Sequence, residues 1–265
     1  MTQNSFGYIL NSKITATSYN DTISQIEDWI KTNEKHKYIC ICNTHSLVTA
    51  SKDTDFNKVL DNANICTPDG MPLVWALRML GYKEQERVDG PNLMLKLNEV
   101  SAKKGYKVFL YGGTEEVLER LEAKLTELFK GIKIVGKYSP PFRDLSEKEE
   151  LEVCEMINKT QPDITFISLG CPKQEKWMYR NTENINSVLI GVGAAFNYTI
   201  GDIKRAPLFF QKIGMEWFFR FIMEPRRLWR RYFYNNSVFI YEFIKTHKKN
   251  KYRTIKLNHK IVSDK

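Results

Sequence analysis

Apolar positions along the chain fall into short unbroken runs, and longer stretches with helical spacing separate them. The runs KYICIC (37–42), NICT (64–67), KVFLYGG (107–113), IKIVGKYSPPF (132–142), DITFISLG (163–170) and SVLIGVGAAF (187–196) predict strands. None alternates polar with apolar residues, as a strand covered on one face would. Between them, 71–80, 91–104, 114–129 and 146–160 carry helical periodicity, with shorter helical segments at 43–48 and from PKQEKWMYR. Pro91 at a first turn, Gly105 after a last turn and the capping pattern SEKE at 146–149 mark helix ends. Buried strands alternating with helices predict an α/β fold, a parallel sheet flanked by helices on both faces. Near Ala206-Pro207 this pattern stops. The expected division is an α/β core over 1–205 and a helical, basic, aromatic-rich C-terminal appendage over 206–265.

Charge sharpens that boundary. The 265 residues carry a net charge of +9, but the 62 from Lys204 onward hold 16 Lys and Arg against 4 Asp and Glu, or +12. The other 203 hold 24 against 27, or −3, so the appendage is where a polyanion would be met. Five cysteines without a CxxC pair read as buried reduced thiols, and four scattered histidines give no zinc pattern. The N-terminus MTQNSFGYILNSK lacks a basic-then-apolar layout, and no apolar run reaches the roughly 18 residues of a spanning helix. The expected location is the cytoplasm, with a membrane surface within reach.

Ligands of parallel sheets bind beyond the carboxyl ends of the strands. TPDG (67–70), YGGT (111–114), LGCPKQE (169–175) and GVGAAFN (191–197) occupy that position, and their glycines, Gly112, Gly113, Gly170 and Gly193 among them, let a ligand approach backbone. Several such turns together point to a nucleotide or nucleotide-sugar site. GxGxxG and the Walker loop are both missing, which argues against dinucleotide redox chemistry and P-loop hydrolysis. Asp69 is either a turn-stabilising residue or a general base projecting into the cleft. Asp89 and Asn92 in RVDGPN either cap a helix or contact a ligand. Lys173, Gln174 and Glu175 fall in a helix's first turn, where Gln174 could meet sugar hydroxyls. DTD at 53–55 imitates a metal-binding DxD, but it lies between helical patterns and reads as solvated surface. In EPRRLWRRYF (224–233), Arg226, Arg227, Arg230 and Arg231 form a basic helical stripe beside the pair Trp229 and Phe233.

Taken together and in order, TPDGMPLVW, ERVDGPNLM, VFLYGGTEEVLERL, SLGCPKQEKWM, GVGAAFNYTIGDIKRAP and GMEWFFRFIMEPRRLWRRY resemble the bacterial WecG/TagA/CpsF family of glycosyltransferases, across about residues 40 to 235. The resemblance implies a Rossmann-like core whose appendage completes the site. It also implies inverting, metal-independent transfer from a UDP-sugar, N-acetylmannosamine-type or a related hexose, to a lipid-diphosphate-linked saccharide in wall, capsule or exopolysaccharide synthesis. Asp69 would be the base. Gln174 with Lys173 and Glu175 would contact the donor, and the EPRR arginines, Arg226, Arg227 and Arg230, would hold the departing UDP. Asn43 and Thr44 in NTHSLV join the expected cleft. Ala194 and Asn197 stand where the family commonly has Gly and Asp, so a catalytically inactive, nucleotide-sugar-binding assembly partner is the alternative. No cofactor is expected beyond the co-substrate. The expected partners are the UDP-sugar, the lipid-linked acceptor and an anionic membrane surface at the appendage. A homo-oligomer is compatible with the sequence, and nucleic acid is not expected because no nucleic-acid-binding signature accompanies the basic tail.

Overall fold

The computed structural model describes residues 5–207, 210, 215–226 and 234–246. Its centre is a six-stranded, all-parallel sheet in the order β4-β3-β8-β7-β5-β6, built from β3 (Tyr38–Cys42), β4 (Ile65–Pro68), β5 (Lys107–Gly112), β6 (Lys133–Tyr138), β7 (Ile164–Ser168) and β8 (Val188–Gly191). Every strand expected from an apolar run is present. The last is shorter than expected: the apolar run 187–196 predicts one strand, but β8 stops at Gly191 and helix α9 (Ala195–Thr199) begins four residues later. The turn through Gly193, at φ +56°, divides one apolar run between two elements.

Both faces of the sheet are covered, which is why its strands other than the edge strand β6 are buried nearly throughout and lack polar alternation. Along β5, Val108 and Leu110 join one core cluster and Phe109 and Tyr111 the other. The first cluster lies under α1 (Tyr19–Lys31), α5 (Gly90–Lys104), α6 (Glu115–Leu128) and α9, through residues such as Ile26, Leu97, Leu121 and Phe196. The second lies under α2 (Thr44–Ala50), α3 (Thr54–Asn62), α4 (Met71–Met79), α7 (Glu147–Lys159) and α8 (Lys173–Asn181), through Leu47, Phe56, Leu77, Ile157 and Trp177. The helix after β5 and the helix after its neighbour β7 therefore go to opposite faces. Such a reversal opens a crevice beyond the strands' carboxyl ends.

An antiparallel hairpin, β1 (Phe6–Ile9) and β2 (Ser12–Thr15), adds a second small sheet beside β4. Its two turn residues, Leu10 and Asn11, sit at φ +50° and +70°, the backbone that a two-residue hairpin turn demands. Among the described residues the appendage reaches the core from two places. The helix Glu216–Met223 meets it at Glu216, and in the helical residues 234–246 Phe239 and Phe243 stack in parallel and are buried in the second cluster.

Candidate active site

The carboxyl edge of the sheet is drawn together backbone to backbone. Gly112 ends β5 at φ +111°, and a Cβ there would stand 2.4 Å from the Ser168 carbonyl oxygen at the end of β7. Ser168 Oγ donates to the Gly193 carbonyl at 2.6 Å, so β7 is tied to the turn after β8. Gly113 and Gly170 also take positive φ, and open space surrounds the Gly170 Cα. The four glycines expected at the site thus line one edge, over β5, β7 and β8. The first turns of α4 and α8 come to the same edge, and neither has a side chain capping its N–H groups.

Next to that edge is a charged node. Asp69 follows β4, its N–H donating to the Cys42 carbonyl at 2.7 Å, and its side chain keeps 28% of its surface exposed. Arg87 Nε lies 3.5 Å from Asp69 Oδ1, while its Nη2 lies 3.0 Å from Asp89 Oδ2 and 2.6 Å from Glu216 Oε2. Burial by itself would push the guanidinium pKa down. The carboxylates of Asp69, Asp89 and Glu216 more than reverse this and keep Arg87 charged. One cation thereby joins the end of β4, the start of α5 and the first residue of an appendage helix.

Several side chains expected to contact a ligand make hydrogen bonds within the protein. Asp89 is the N-cap of α5: it accepts from Asn92 N at 2.9 Å, Asn92 Nδ2 at 2.8 Å and the Tyr19 hydroxyl at 2.6 Å. Burial raises its pKa, but Arg87 and these donors outweigh that and leave the carboxyl below its ordinary range. Of the two readings of RVDGPN, capping describes what Asp89 and Asn92 do. Asn43 likewise caps α2, accepting from His45 N and Ser46 N, and Thr44 Oγ1 donates to Asn236 at 3.0 Å. With Asn235 Nδ2 3.2 Å from His45 Nδ1, this pins the C-terminal helical residues onto α2's first turn. Gln174 is only 3% exposed: its Oε1 accepts from Gly193 N at 3.1 Å and its Nε2 donates to Glu175 at 2.9 Å, so both ends of the amide are engaged within the protein. Glu175 is 1% exposed and lies in the interior, not in the cleft. Lys173 faces outward, 3.2 Å from Asp144.

Asp53 is not merely solvated. It caps α3 and pairs with Lys176 at 2.7 Å, while Asp55 is exposed. Among the described residues, no group of three or more His, Cys, Asp or Glu side chains is placed to hold a metal ion. Arg226 is exposed, and Arg227, Arg230 and Arg231 lie outside the described residues. Two residues of the node had not been singled out in the sequence, Arg87 and Glu216. Each stands inside a motif-bearing stretch, ERVDGPNLM and GMEWFFR, but their pairing crosses 129 positions. Arg205 belongs here too. Its Nη2 is 3.7 Å from Asp89 Oδ1, and its Nε and Nη2 are buried without a hydrogen-bond partner among the described residues.

Comparison with known proteins decides the family. The model of the glycosyl transferase WecG/TagA/CpsF family matches residues 8–253. The chain belongs to this family. Curated relatives include the N-acetylglucosaminyldiphosphoundecaprenol N-acetyl-beta-D-mannosaminyltransferase of Bacillus subtilis (strain 168), 31% identical over 216 residues, 78% of this chain and 82% of the relative. The enzymes of the same name from Bacillus spizizenii (strain ATCC 23059 / NRRL B-14472 / W23) and Staphylococcus aureus (strain MW2) are 30% and 28% identical. They cover 79% and 88% of this chain, and 79% and 91% of their own lengths. The family match makes this chain a glycosyltransferase. Among the described residues no helix is long and apolar enough to cross a membrane.

Proposed function

We propose that this glycosyltransferase moves an N-acetylmannosamine-type sugar from a UDP-sugar to a lipid-diphosphate-linked N-acetylglucosamine, with inversion at the anomeric carbon and in cell-wall polymer synthesis. The observation that carries the reading is Asp69, a partly exposed carboxylate at the carboxyl edge of the sheet with the charged Arg87 at 3.5 Å. The relatives' names supply the sugar and the acceptor. Asp69 takes the proton from the acceptor hydroxyl, whose oxygen forms the new bond to the anomeric carbon. The bond from that carbon to the diphosphate oxygen breaks, and UDP leaves with the electron pair. Positive charge must meet the departing diphosphate. The donors at hand are the N–H groups of Met71 and Lys173 at the starts of α4 and α8, the guanidinium of Arg205, whose Nε and Nη2 have no hydrogen-bond partner among the described residues, and the appendage arginines. No step of this reading calls on a metal ion. The enzyme would act from the cytoplasmic side, held to an anionic membrane surface by its appendage.

Asp69→Asn tests the reading. It is expected to lower UDP release in the presence of acceptor by about 10²–10⁴-fold, the usual worth of a placed base, while UDP binding by calorimetry stays close to wild type. Wild-type turnover in this variant would remove Asp69 from the role. A wild-type chain that binds UDP-sugar but releases no UDP with any lipid-linked acceptor would favour the inactive assembly partner.

A further inference from the structure

Glu175 is a carboxylate in the wrong place for stability. It is 1% exposed, no cation approaches it among the described residues, and its Oε2 has no hydrogen-bond partner there. The titratable groups around it are thiols: Cys40 and Cys42 from β3, Cys66 from β4 and Cys171 from the turn before α8. Burial pushes its pKa up to about 7, with the hydrogen bonds from Gln174 and Cys171 opposing the rise. An apolar side chain of the same length would fill this position without a buried charge.

What Glu175 does have is Gln174. The amide is held at both ends: Glu175 Oε1 accepts from Nε2 at 2.9 Å, and Oε1 of the amide accepts from Gly193 N at 3.1 Å. On its other side, the Gly193 carbonyl accepts from Ser168 Oγ at 2.6 Å. The turn between β8 and α9 is therefore clamped on its N–H and its C=O, from α8 and from β7. The helix can come this close because residue 191 is glycine: a Cβ there would stand 2.7 Å from Met178 Cε and 3.1 Å from Gln174 Nε2.

We propose that Glu175 is a positioning residue that, through Gln174, fixes the Gly193 turn at the carboxyl edge of the sheet where the donor diphosphate is bound. The location of the diphosphate rests on the function proposed above; the clamp itself does not. The Gly193 N–H can only donate and takes the amide oxygen, while the acceptor oxygen of Glu175 takes the amide nitrogen, so the Gln174 amide is held in one orientation.

Two variants of the full chain separate positioning from packing. Glu175→Met removes the acceptor and the charge. Glu175→Gln removes the charge and keeps an acceptor oxygen. For Glu175→Met, the expected results are a rise of about tenfold in hydrogen-exchange rate at the Gly193 amide and a fall of about tenfold in affinity for UDP-N-acetylmannosamine, the scale of one lost buried hydrogen bond. The melting midpoint should be unchanged or higher, and KM for the acceptor unmoved. Glu175→Gln should recover at least half of both losses on a logarithmic scale. An unchanged Gly193 exchange rate in Glu175→Met overturns the clamp whatever the nucleotide does. Faster exchange with wild-type donor affinity overturns its role in donor placement. Losses in both variants that track a lowered melting midpoint would reduce Glu175 to a structural residue. A wild type without measurable affinity for the UDP-sugar would sink the nucleotide-sugar reading and the donor role built on it, while the exchange rate still judges the clamp.

Discussion

Three carboxylates surround Arg87 and thiols surround Glu175, and the two sites behave oppositely. At Arg87 the charges compensate, so burial of the group is sustained by its partners. At Glu175 the hydrogen bonds it accepts only partly offset burial, and stability should show it. Its folded-state pKa, about 7, lies above the ordinary 4.5, so between these values the folded chain binds a proton that the unfolded chain has released. Stability then falls as pH rises through that window, by roughly 3 kcal/mol once the side chain is fully ionised. Glu175→Gln should remove this slope. Urea denaturation of both proteins at pH 5 and pH 8 gives the check: the variant gains on wild type at pH 8 relative to pH 5. A difference that does not change with pH would mean the carboxyl titrates normally. Only part of this was legible in the sequence. KQE after a strand marks a helix start near a cleft, but whether each side chain faces ligand or core depends on how α8 sits on β8. A side chain on Gly191 would crowd the Met178 tip and the Gln174 amide.

Among the elements, the strands were readable because burial on both faces leaves unbroken apolar runs, a signal that does not depend on distant partners. The hairpin β1-β2 and α1 were not. Each hairpin strand has four residues, and the turn uses Leu10-Asn11 in place of the Asn-Gly or Gly-Gly that would advertise it. Helix α1 does carry a signal, Ser18 capped reciprocally by Asp21 and followed by Ile23, Ile26 and Trp29, but the box uses Asp where Glu or Gln is usual. Glycine at the strand ends was read as access for a ligand, and the structure adds a packing reason for one of them. At Gly112 any Cβ meets the backbone of β7 at 2.4 Å on a φ of +111°. Backbone cannot yield as a side-chain tip can. Gly112→Ala should therefore destabilise the fold by about 3 kcal/mol or more, strain and overpacking adding, and loosen the β5–β7 edge. Gly170→Ala has the same kind of positive φ but open space, so it should lose only the smaller conformational part. Thermal or denaturant unfolding of the pair checks this, and equal losses would mean the close approach contributes nothing.

At the scale of the molecule, the appendage meets the core where the base is proposed, with Glu216 on Arg87 beside Asp69, and again where Asn235 and Asn236 bond the first turn of α2. Ending the chain after Arg205 removes these contacts and a segment of charge +12 less the two cations Lys204 and Arg205 that remain, or +10. Among the described residues both core clusters keep nearly all their members, losing the buried Phe239 and Phe243 and the partly buried Val238 from the one beneath α2 and α3. The truncated chain should thus still unfold cooperatively, weakened by about 3–6 kcal/mol for two buried aromatic side chains. The loss of function should be far larger. UDP release with a soluble acceptor is expected to fall at least 10³-fold, because Arg87 is left without its appendage partner and the diphosphate without the appendage arginines. Exposed Phe218, Ile222 and Met223 leave with the appendage, as do Ile240, Tyr241 and Ile244, the apolar side chains available to the proposed membrane contact. Co-sedimentation with anionic vesicles should drop to the level seen with neutral ones, since each basic residue near the surface contributes about 1 kcal/mol. The two readouts are independent. Normal turnover of the truncated chain on soluble acceptor would place the whole active site in the core, whereas lost turnover with unchanged vesicle binding would leave the appendage its catalytic part and move the membrane contact elsewhere.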